Sequence, residues 1–361
     1  MPRLRPAPRL HAGDTDRGGK VRLGGVAHMS TLYVMENGAT VRKDGDQIKI
    51  DLPKGGTLLK MPIEKLEQLV ILGNVTVTAQ ALKALLQRGI PVVYLTQQGR
   101  LLGKLQPFEN KNIPLRWHQF AAASSPERRL AISRSIVKGK LLNQRTLLQR
   151  AKREGVRGLD DAIRQLGILA RKADSAEDLN ELRGLEGAGA AEYFRQWPKL
   201  IRQIGFRFPG RVRRPPTDPA NSMLSFGYML LMNEVFSACH IVGFDPYLGF
   251  FHMDKYGRPA LALDLMEEFR PVLVDSLVLS LINKRVLEPE DFDTELGGAV
   301  RMRPHALRKF LAAWENKRRT LVRHHIFDRQ VPYWRAIELQ ARVLARVILG
   351  EMDEYIPFLV R

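Results

Sequence analysis

Two hydrophobic periodicities divide this chain into an N-terminal and a C-terminal part. Over residues 31–105, short apolar runs alternate with turn signals, and Asp44-Gly45-Asp46 between residues 40–43 and 47–52 is typical of a β-hairpin. One helix is expected there, beginning after the N-cap Thr78 and ending near Gly89. From Ser125 onward apolar residues recur at helical spacing, which predicts helices over 125–153, 159–172, 176–197, 218–240, 267–283, 304–322 and 331–349. The chain is therefore predicted to be α+β, with an N-terminal β-rich domain followed by a larger all-α domain.

The same pattern suggests domain boundaries. Residues 1–28 are rich in Arg, Pro and Gly and lack the apolar stretch of a secretory signal, so we expect either a disordered basic extension or an over-extended start without function before Met29. Residues 29–108 form the predicted β-domain, 109–124 a linker, 125–350 the larger helical domain and 351–361 a C-terminal tail.

Charge narrows the class of partner. Lys and Arg number 57 against 38 Asp and Glu, which gives a formal net charge of +19 and favours a polyanionic partner such as nucleic acid. No long apolar run or isolated basic amphipathic helix points to a membrane. The single cysteine, Cys239, excludes an intramolecular disulfide and a cysteine-based zinc site within one chain, and fits a reducing cytoplasm.

The first candidate site combines one imidazole with nearby carboxylates. His252 ends an apolar run, and Asp264 and Glu267 follow at a spacing that would place them on one face of a helix. These oxygen and nitrogen donors suit Mg²⁺ or Mn²⁺ better than zinc. The alternatives are a core histidine bonded to backbone, and carboxylates paired with Arg270 and Lys284. Arg270 could equally contact a phosphate or pair with Glu267 or Asp264.

A second carboxylate, Glu186, lies among small residues in the segment 185–191, which would let another helix or a substrate approach it closely. Taken alone, the segment fits a solvated glutamate on a helix that packs through alanines. Arg211, Arg213 and Arg214, in a proline-rich loop, are candidate phosphate contacts, with a solvated basic loop as the alternative.

Four segments together resemble the Cas-one endonuclease family, the integrases of CRISPR adaptation. They are residues 185–194, 218–228, 243–252 and 263–271, in a resemblance that runs from about Met29 to about Gly350. The resemblance implies that Glu186, His252 and Glu267 are catalytic metal ligands and that Asp264 is a supporting acidic residue. Because family members differ in the last ligand, it leaves open whether Asp264 or Glu267 binds the metal directly.

The resemblance also implies a function. The expected activity is that of a metal-dependent DNA endonuclease and integrase, in which a DNA 3′-hydroxyl attacks a phosphodiester and spacer DNA enters a CRISPR array. It implies a homodimer joined through the N-terminal domains, double-stranded and branched DNA as substrates, and a complex with the small Cas-two protein. The alternatives are a non-catalytic nucleic-acid-binding scaffold with a structural acidic cluster, and a metal hydrolase acting on a small phosphorylated substrate.

Overall fold

A computed structural model describes residues 30–97, 101–106, 112–252 and 256–360 of the chain. The predicted extension 1–28 lies outside the described residues. The N-terminal part contains eight described strands and one helix: β1 (Ser30–Val34), β2 (Thr40–Asp44), β3 (Gln47–Asp51), β4 (Thr57–Pro62), β5 (Leu66–Leu72), β6 (Thr76–Val77), α1 (Ala79–Gln87), β7 (Val92–Leu95) and β8 (Leu101–Leu105).

These strands form two four-stranded sheets. One has the order β1-β5-β7-β8, in which β1, β5 and β7 run parallel and β8 is antiparallel to β7. The other has the order β4-β3-β2-β6, and its β2–β3 hairpin turns at the residues expected from the sequence. Apolar side chains of both sheets and of α1, among them Ile48, Leu69 and Leu85, form one buried cluster. The predicted β-rich N-terminal region with one α-helix is confirmed, and a short 3-10 helix, Ile63–Lys65, lies between β4 and β5.

The rest of the described chain is mainly helical. It comprises α2 (Ile113–Ser124), α3 (Pro126–Arg153), α4 (Asp160–Asp174), α5 (Leu179–Arg195), α6 (Trp197–Leu200), α7 (Pro219–Val242), α8 (Ala260–Met266), α9 (Ser276–Asn283), α10 (Pro304–Arg319) and α11 (Tyr333–Ile348). A π-helical segment, Arg270–Asp275, leads into α9. Two small hairpins complete it: β9 (Phe292–Thr294) with β10 (Val300–Met302), and β11 (Leu321–His324) with β12 (Arg329–Pro332).

Local sequence signals explain where the main helices begin. The side chain of Ser125 accepts a hydrogen bond from the amide of Arg128 at the start of α3, and Asp218 does the same for Asn221 at the start of α7. Helix α7 is apolar almost all round and lies at the centre of the helical core, as such a helix must. Most of the stretch predicted as a linker, 109–124, is instead helix α2, whose apolar residues Leu115 and Ala122 are buried.

The C-terminal segment is part of the core. Tyr355, Phe358 and Val360 are buried, and the ring of Phe358 stacks on that of Phe269 at 4.8 Å. The side-chain amide of Asn143, on α3, donates to the carbonyls of Phe358 and Glu268, both at 2.8 Å. The predicted tail thus fastens α3 to the segment that follows α8. Among the described helices, none is long and apolar enough to cross a membrane.

Candidate metal centre

A buried aspartate fixes the loop that carries His252. Asp264, on α8, has no exposed surface, and its Oδ2 accepts hydrogen bonds from the amides of Phe250 and Phe251 at 2.6 and 3.0 Å. Its Oδ1 accepts from the amide of His252 at 3.0 Å. At Gly249, an added Cβ would lie 2.6 Å from Asp264 Oδ2, so only glycine lets this loop approach the carboxylate.

The same carboxylate orients the imidazole. Nδ1 of His252 lies 2.7 Å from Oδ1 of Asp264. Because an ionised carboxylate can only accept, Nδ1 carries the proton of the neutral ring and Nε2 keeps its lone pair. Nε2 faces Glu267, whose Oε1 is 3.9 Å away. A carboxylate behind the imidazole is the arrangement that commonly supports histidine ligands of metals.

Glu186 reaches this region because α5 packs closely against α3. A Cβ at Gly189, one turn beyond Glu186, would lie 2.1 Å from a methyl carbon of Leu141. The absence of a side chain at Gly189 therefore lets the two helices come together. The carboxylate of Glu186 then contacts the ammonium of Lys140 on α3. The small residues beside Glu186 thus let another helix, α3, approach it closely, as the sequence suggested.

The third predicted ligand, Glu267, follows α8 directly and is 3% exposed. Its Oε2 lies 2.6 Å from Nζ of Lys140, and its Oε1 lies 3.2 Å from Nε of Arg270. Burial alone would raise the pKa of Glu267, but the positive charges of Arg270 and Lys140 outweigh it and lower the pKa to about 2. Glu267 is therefore ionised at neutral pH.

These contacts determine how well the predicted residues suit a divalent ion. Two carboxylates and a neutral imidazole nitrogen are donors that Mg²⁺ and Mn²⁺ accept, and the buried Oε2 of Glu267 contacts the ammonium of Lys140 at 2.6 Å. In the described ranges, however, no three His, Cys, Asp or Glu side chains are already arranged as a metal site. The ammonium of Lys140 lies between Glu186 and Glu267 instead. The donor types suit such an ion, while an ammonium occupies the place between two of them.

The contacts of Asp264 and Glu267 bear on the question that the sequence left open, which of the two would bind a metal directly. Both oxygens of Asp264 are occupied by backbone amides and by the ring of His252. Among the described residues, the carboxylate of Glu267 contacts the cationic side chains of Lys140 and Arg270, and its Oε1 faces Nε2 of His252. The geometry favours Glu267 for direct contact with an ion and Asp264 for orienting the imidazole.

Arg270, a candidate phosphate contact, is paired within the protein. Besides its ion pair with Glu267, its guanidinium lies over the ring of Tyr228, 4.6 Å from the ring centre. Of the two sequence interpretations, an internal ion pair is the one found. The hydroxyl of Tyr228 donates in turn to Asp275, which also accepts from Tyr193.

The three arginines of the proline-rich loop have different environments. Arg211 donates to the side chains of Asn221 and Ser225 and so attaches the loop to α7. These hydrogen bonds hold Arg211 within the protein, and its contact with a phosphate stays a prediction. Arg213 and Arg214 are exposed and available to a phosphate backbone.

Sequence reasoning missed Lys140, which is 5% exposed at the centre of the site. The available signal was a polar group of residues on the apolar face of α3: Lys140, Asn143 and Gln144 share that face with Ile136 and Val137, and all five are buried. Polar side chains on a core-facing stripe require buried partners. Those partners, Glu186 and Glu267, come from distant segments and could not be read from this helix alone.

Comparison with known proteins agrees with this architecture. The family described as "CRISPR associated protein Cas1" matches residues 32–316. The CRISPR-associated endonuclease Cas1 3 of Thermus thermophilus is 42% identical over 334 residues, which cover 92% of this chain and 98% of that protein. A CAS1 protein from Thermotoga maritima has a solved structure with a TM-score of 0.77 and 27% identity, covering 91% of this chain and 99% of that one. A chain of a partial Cas6-RT-Cas1–Cas2 complex has a TM-score of 0.63 and 25% identity, covering 92% and 99%. The chain belongs to the Cas1 family of CRISPR-associated proteins.

Proposed function

We propose that this Cas1 protein joins a DNA 3′-hydroxyl to a phosphodiester at a divalent-metal centre held by Glu186, His252 and Glu267. The observation that carries the proposal is the convergence of three distant segments. Helix α5, the loop 249–252 and the end of α8 bring these side chains to the surroundings of one ammonium group, that of Lys140. Mg²⁺ or Mn²⁺ bound there would stabilise negative charge on the phosphoryl and leaving oxygens and lower the pKa of the attacking hydroxyl.

The protein's own residues supply the geometry of the reaction. Asp264 keeps the Nδ1 proton of His252 in place, so that Nε2 presents its lone pair towards Glu267. Arg270 neutralises part of the charge of Glu267 from the side away from Lys140. The net charge of +19 favours approach of the DNA backbone, and exposed guanidinium groups at Arg213 and Arg214 can contact phosphates.

The direct test is strand transfer by His252→Ala. Purified protein is mixed with a labelled duplex that ends in a 3′-hydroxyl and with a repeat-bearing target duplex, in Mg²⁺ and in Mn²⁺ separately. His118→Ala is the matched control, because His118 is exposed on α2 and bonds only to a local carbonyl in the described structure. We expect His252→Ala to lose strand transfer by about a hundredfold or more while His118→Ala keeps it.

A gel-shift titration of the same proteins separates chemistry from binding. Both variants should bind duplex DNA like the wild type, with an affinity that falls as salt rises. Full strand transfer by His252→Ala would contradict the ligand assignment. Salt-dependent binding by the wild type with no joining or cleavage in either metal would instead support the non-catalytic scaffold.

We also propose that the chain forms a homodimer through residues 29–108 and assembles with a small Cas-two protein. In support, β4 is an edge strand of its sheet and its Leu58 is 50% exposed, beside the partly exposed Leu59. A related chain of 25% identity belongs to a partial Cas6-RT-Cas1–Cas2 complex. Light scattering should report a dimer for the wild type and a monomer for Leu58→Lys. A dimer that persists in this variant would place the contact elsewhere.

A further inference from the structure

Lys140 is the residue at the centre of the proposed site that the proposed reaction does not use. Its ammonium contacts Oε1 of Glu186 and lies 2.6 Å from Oε2 of Glu267. The side chain of Lys140 is 6% exposed, and those of Glu267 and Glu186 are 4% and 23% exposed. A lysine buried to this degree is unusual and requires charged partners, which the two carboxylates provide.

The lysine and a divalent ion would need the same carboxylate oxygens. Oε2 of Glu267 has no other cation in contact with it within the described chain, because Arg270 pairs with Oε1. An ammonium and a divalent ion that shared this oxygen would be neighbouring cations in a buried place, where repulsion is strong. They therefore exclude each other.

We propose that Lys140 is a built-in counter-ion, which holds Glu186 and Glu267 together in the metal-free protein and is displaced when a divalent ion binds. Metal and ammonium compete for the two carboxylates. This inference rests on the proposed assignment of Glu186 and Glu267 as metal ligands.

The packing around α3 indicates that the side chain moves and the helix stays. A Cβ at Gly139 would lie 2.5 Å from Cβ of Pro357, so the C-terminal segment presses directly on the backbone beside Lys140. One turn further on, Asn143 is bonded to that same segment and to the carbonyl of Glu268. Because the helix is fixed on this side, the ammonium of Lys140 must leave the carboxylates by rotation about the bonds of its flexible four-carbon stem. A shorter or more rigid cationic side chain could not move in this way.

The test is a calorimetric titration of metal-free protein with Mn²⁺. Wild type is compared with Lys140→Met, which keeps much of the apolar stem and removes the charge. Lys138→Met is the matched control, because Lys138 lies on the same helix and pairs with Asp174 at the surface. We expect Lys140→Met to bind Mn²⁺ at least about tenfold more tightly than wild type, because the competing cation is gone, and Lys138→Met to be unchanged.

Thermal unfolding gives a second readout that does not depend on activity. Without metal, Lys140→Met should melt at a lower temperature than wild type, since the buried carboxylate of Glu267 and the partly buried carboxylate of Glu186 have lost this counter-ion. Mn²⁺ should raise its melting temperature by more than it raises that of wild type. If Lys140→Met is unfolded without metal, recovery of a cooperative melt on adding Mn²⁺ supports the proposal, and failure to recover contradicts it. Equal or weaker Mn²⁺ binding by folded Lys140→Met overturns it.

Glutamine variants separate this inference from the function on which it rests. If Glu186→Gln and Glu267→Gln both bind Mn²⁺ as wild type does, the ligand assignment fails and the proposed function fails with it. If they lose Mn²⁺ binding while Lys140→Met binds like wild type, the metal site stands and the competition alone is refuted.

Discussion

Replacing Asp264 by asparagine tests whether this residue orients His252 or binds the metal itself. The substitution keeps the shape of the side chain but turns one acceptor oxygen into an amide that donates. In the wild type, each of the two carboxylate oxygens accepts two hydrogen bonds from the loop 250–252. Of these four bonds, three come from backbone amides and one from the imidazole of His252. Asparagine can serve at most one of these two pairs.

The cost follows from the number of bonds lost. Asp264 is completely buried, so water cannot replace the missing acceptor. Two hydrogen bonds to a charged group, at about 1.5 to 3 kcal/mol each, give an expected loss of about 3 to 6 kcal/mol in the free energy of unfolding. The imidazole of His252 also loses its fixed tautomer, which should weaken metal binding by about ten- to a hundredfold without abolishing it.

Two measurements check this reasoning. Urea unfolding of the metal-free proteins gives the stability change, with Asp161→Asn as the control, because Asp161 forms only an exposed pair with Arg164 in the described structure. Titration with Mn²⁺ gives the affinity, with Glu267→Gln for comparison. An unchanged stability would refute the role of Asp264 in holding the loop. Complete loss of Mn²⁺ binding in Asp264→Asn, with binding retained in Glu267→Gln, would show that the two carboxylates have the opposite roles.

Three further predictions concern the surroundings of the site. Gly189→Ala should lower the free energy of unfolding by about 1 to 3 kcal/mol and weaken Mn²⁺ binding, because its Cβ would meet a methyl group of α3 at 2.1 Å. Gly187→Ala is the control, because nothing lies within 4 Å of its added Cβ. It should be neutral or stabilising in the same unfolding and titration measurements. Burial raises the pKa of Asp275 from 3.8 to about 6. The folded state therefore binds the proton of Asp275 more tightly than the unfolded state does. The resulting contribution to the free energy of unfolding is fully present below about pH 4 and is lost as the pH rises through 6. Relative to Asp275→Asn, wild type should lose about 3 kcal/mol over that interval in urea unfolding, and a flat difference would contradict the shift. Phe358→Ala should cost about 3 to 5 kcal/mol by the same assay, whereas a loosely attached tail would give no change.

Much of the local structure could be predicted from the sequence because its signals are local. Thr78, Ser125 and Asp218 each precede a helix, and in the structure each side chain accepts a hydrogen bond from an amide of the first turn. The hairpin at residues 44–47 follows from one glycine with positive φ.

Other elements depend on contacts that no short window shows. The helix expected over 267–283 is instead a turn that follows α8, the π-helical segment and α9, so that Glu267 lies just after a helix end and not in a first turn. The helix expected over 304–322 ends at Arg319. Residues 323–325 form a hairpin strand and the turn after it, where His324 is fully buried and its ring lies 5.6 Å from that of Phe358. The C-terminal segment supplies that partner, some thirty residues further along the chain.

The candidate site shows the same difference between features that local sequence signals predict and features that depend on distant contacts. Residue types and spacing indicated His252, Asp264 and Glu267 as candidate ligands, and the resemblance to a known family implied that Glu186 joins them. Periodicity could not show that Lys140 lies between two of them, because the contact joins α3 to segments more than forty residues away. Nor could it assign Asp264 its role, which depends on three amides of a loop folded back onto α8.

The buried charges at this site are better explained by function than by stability. Taking Lys140, Glu267 and Arg270 out of water has a desolvation cost that their mutual attraction only partly offsets, and apolar side chains of similar size commonly give equal or greater stability. An ionised cluster also needs supporting packing, which here includes the close approach of α5 at Gly189. Such an arrangement is reasonable where a site must stay assembled in the absence of its metal and still accept it. On a chain with a net charge of +19, the carboxylates at this site would also give a local preference for the proposed divalent cation where the surrounding surface attracts phosphate.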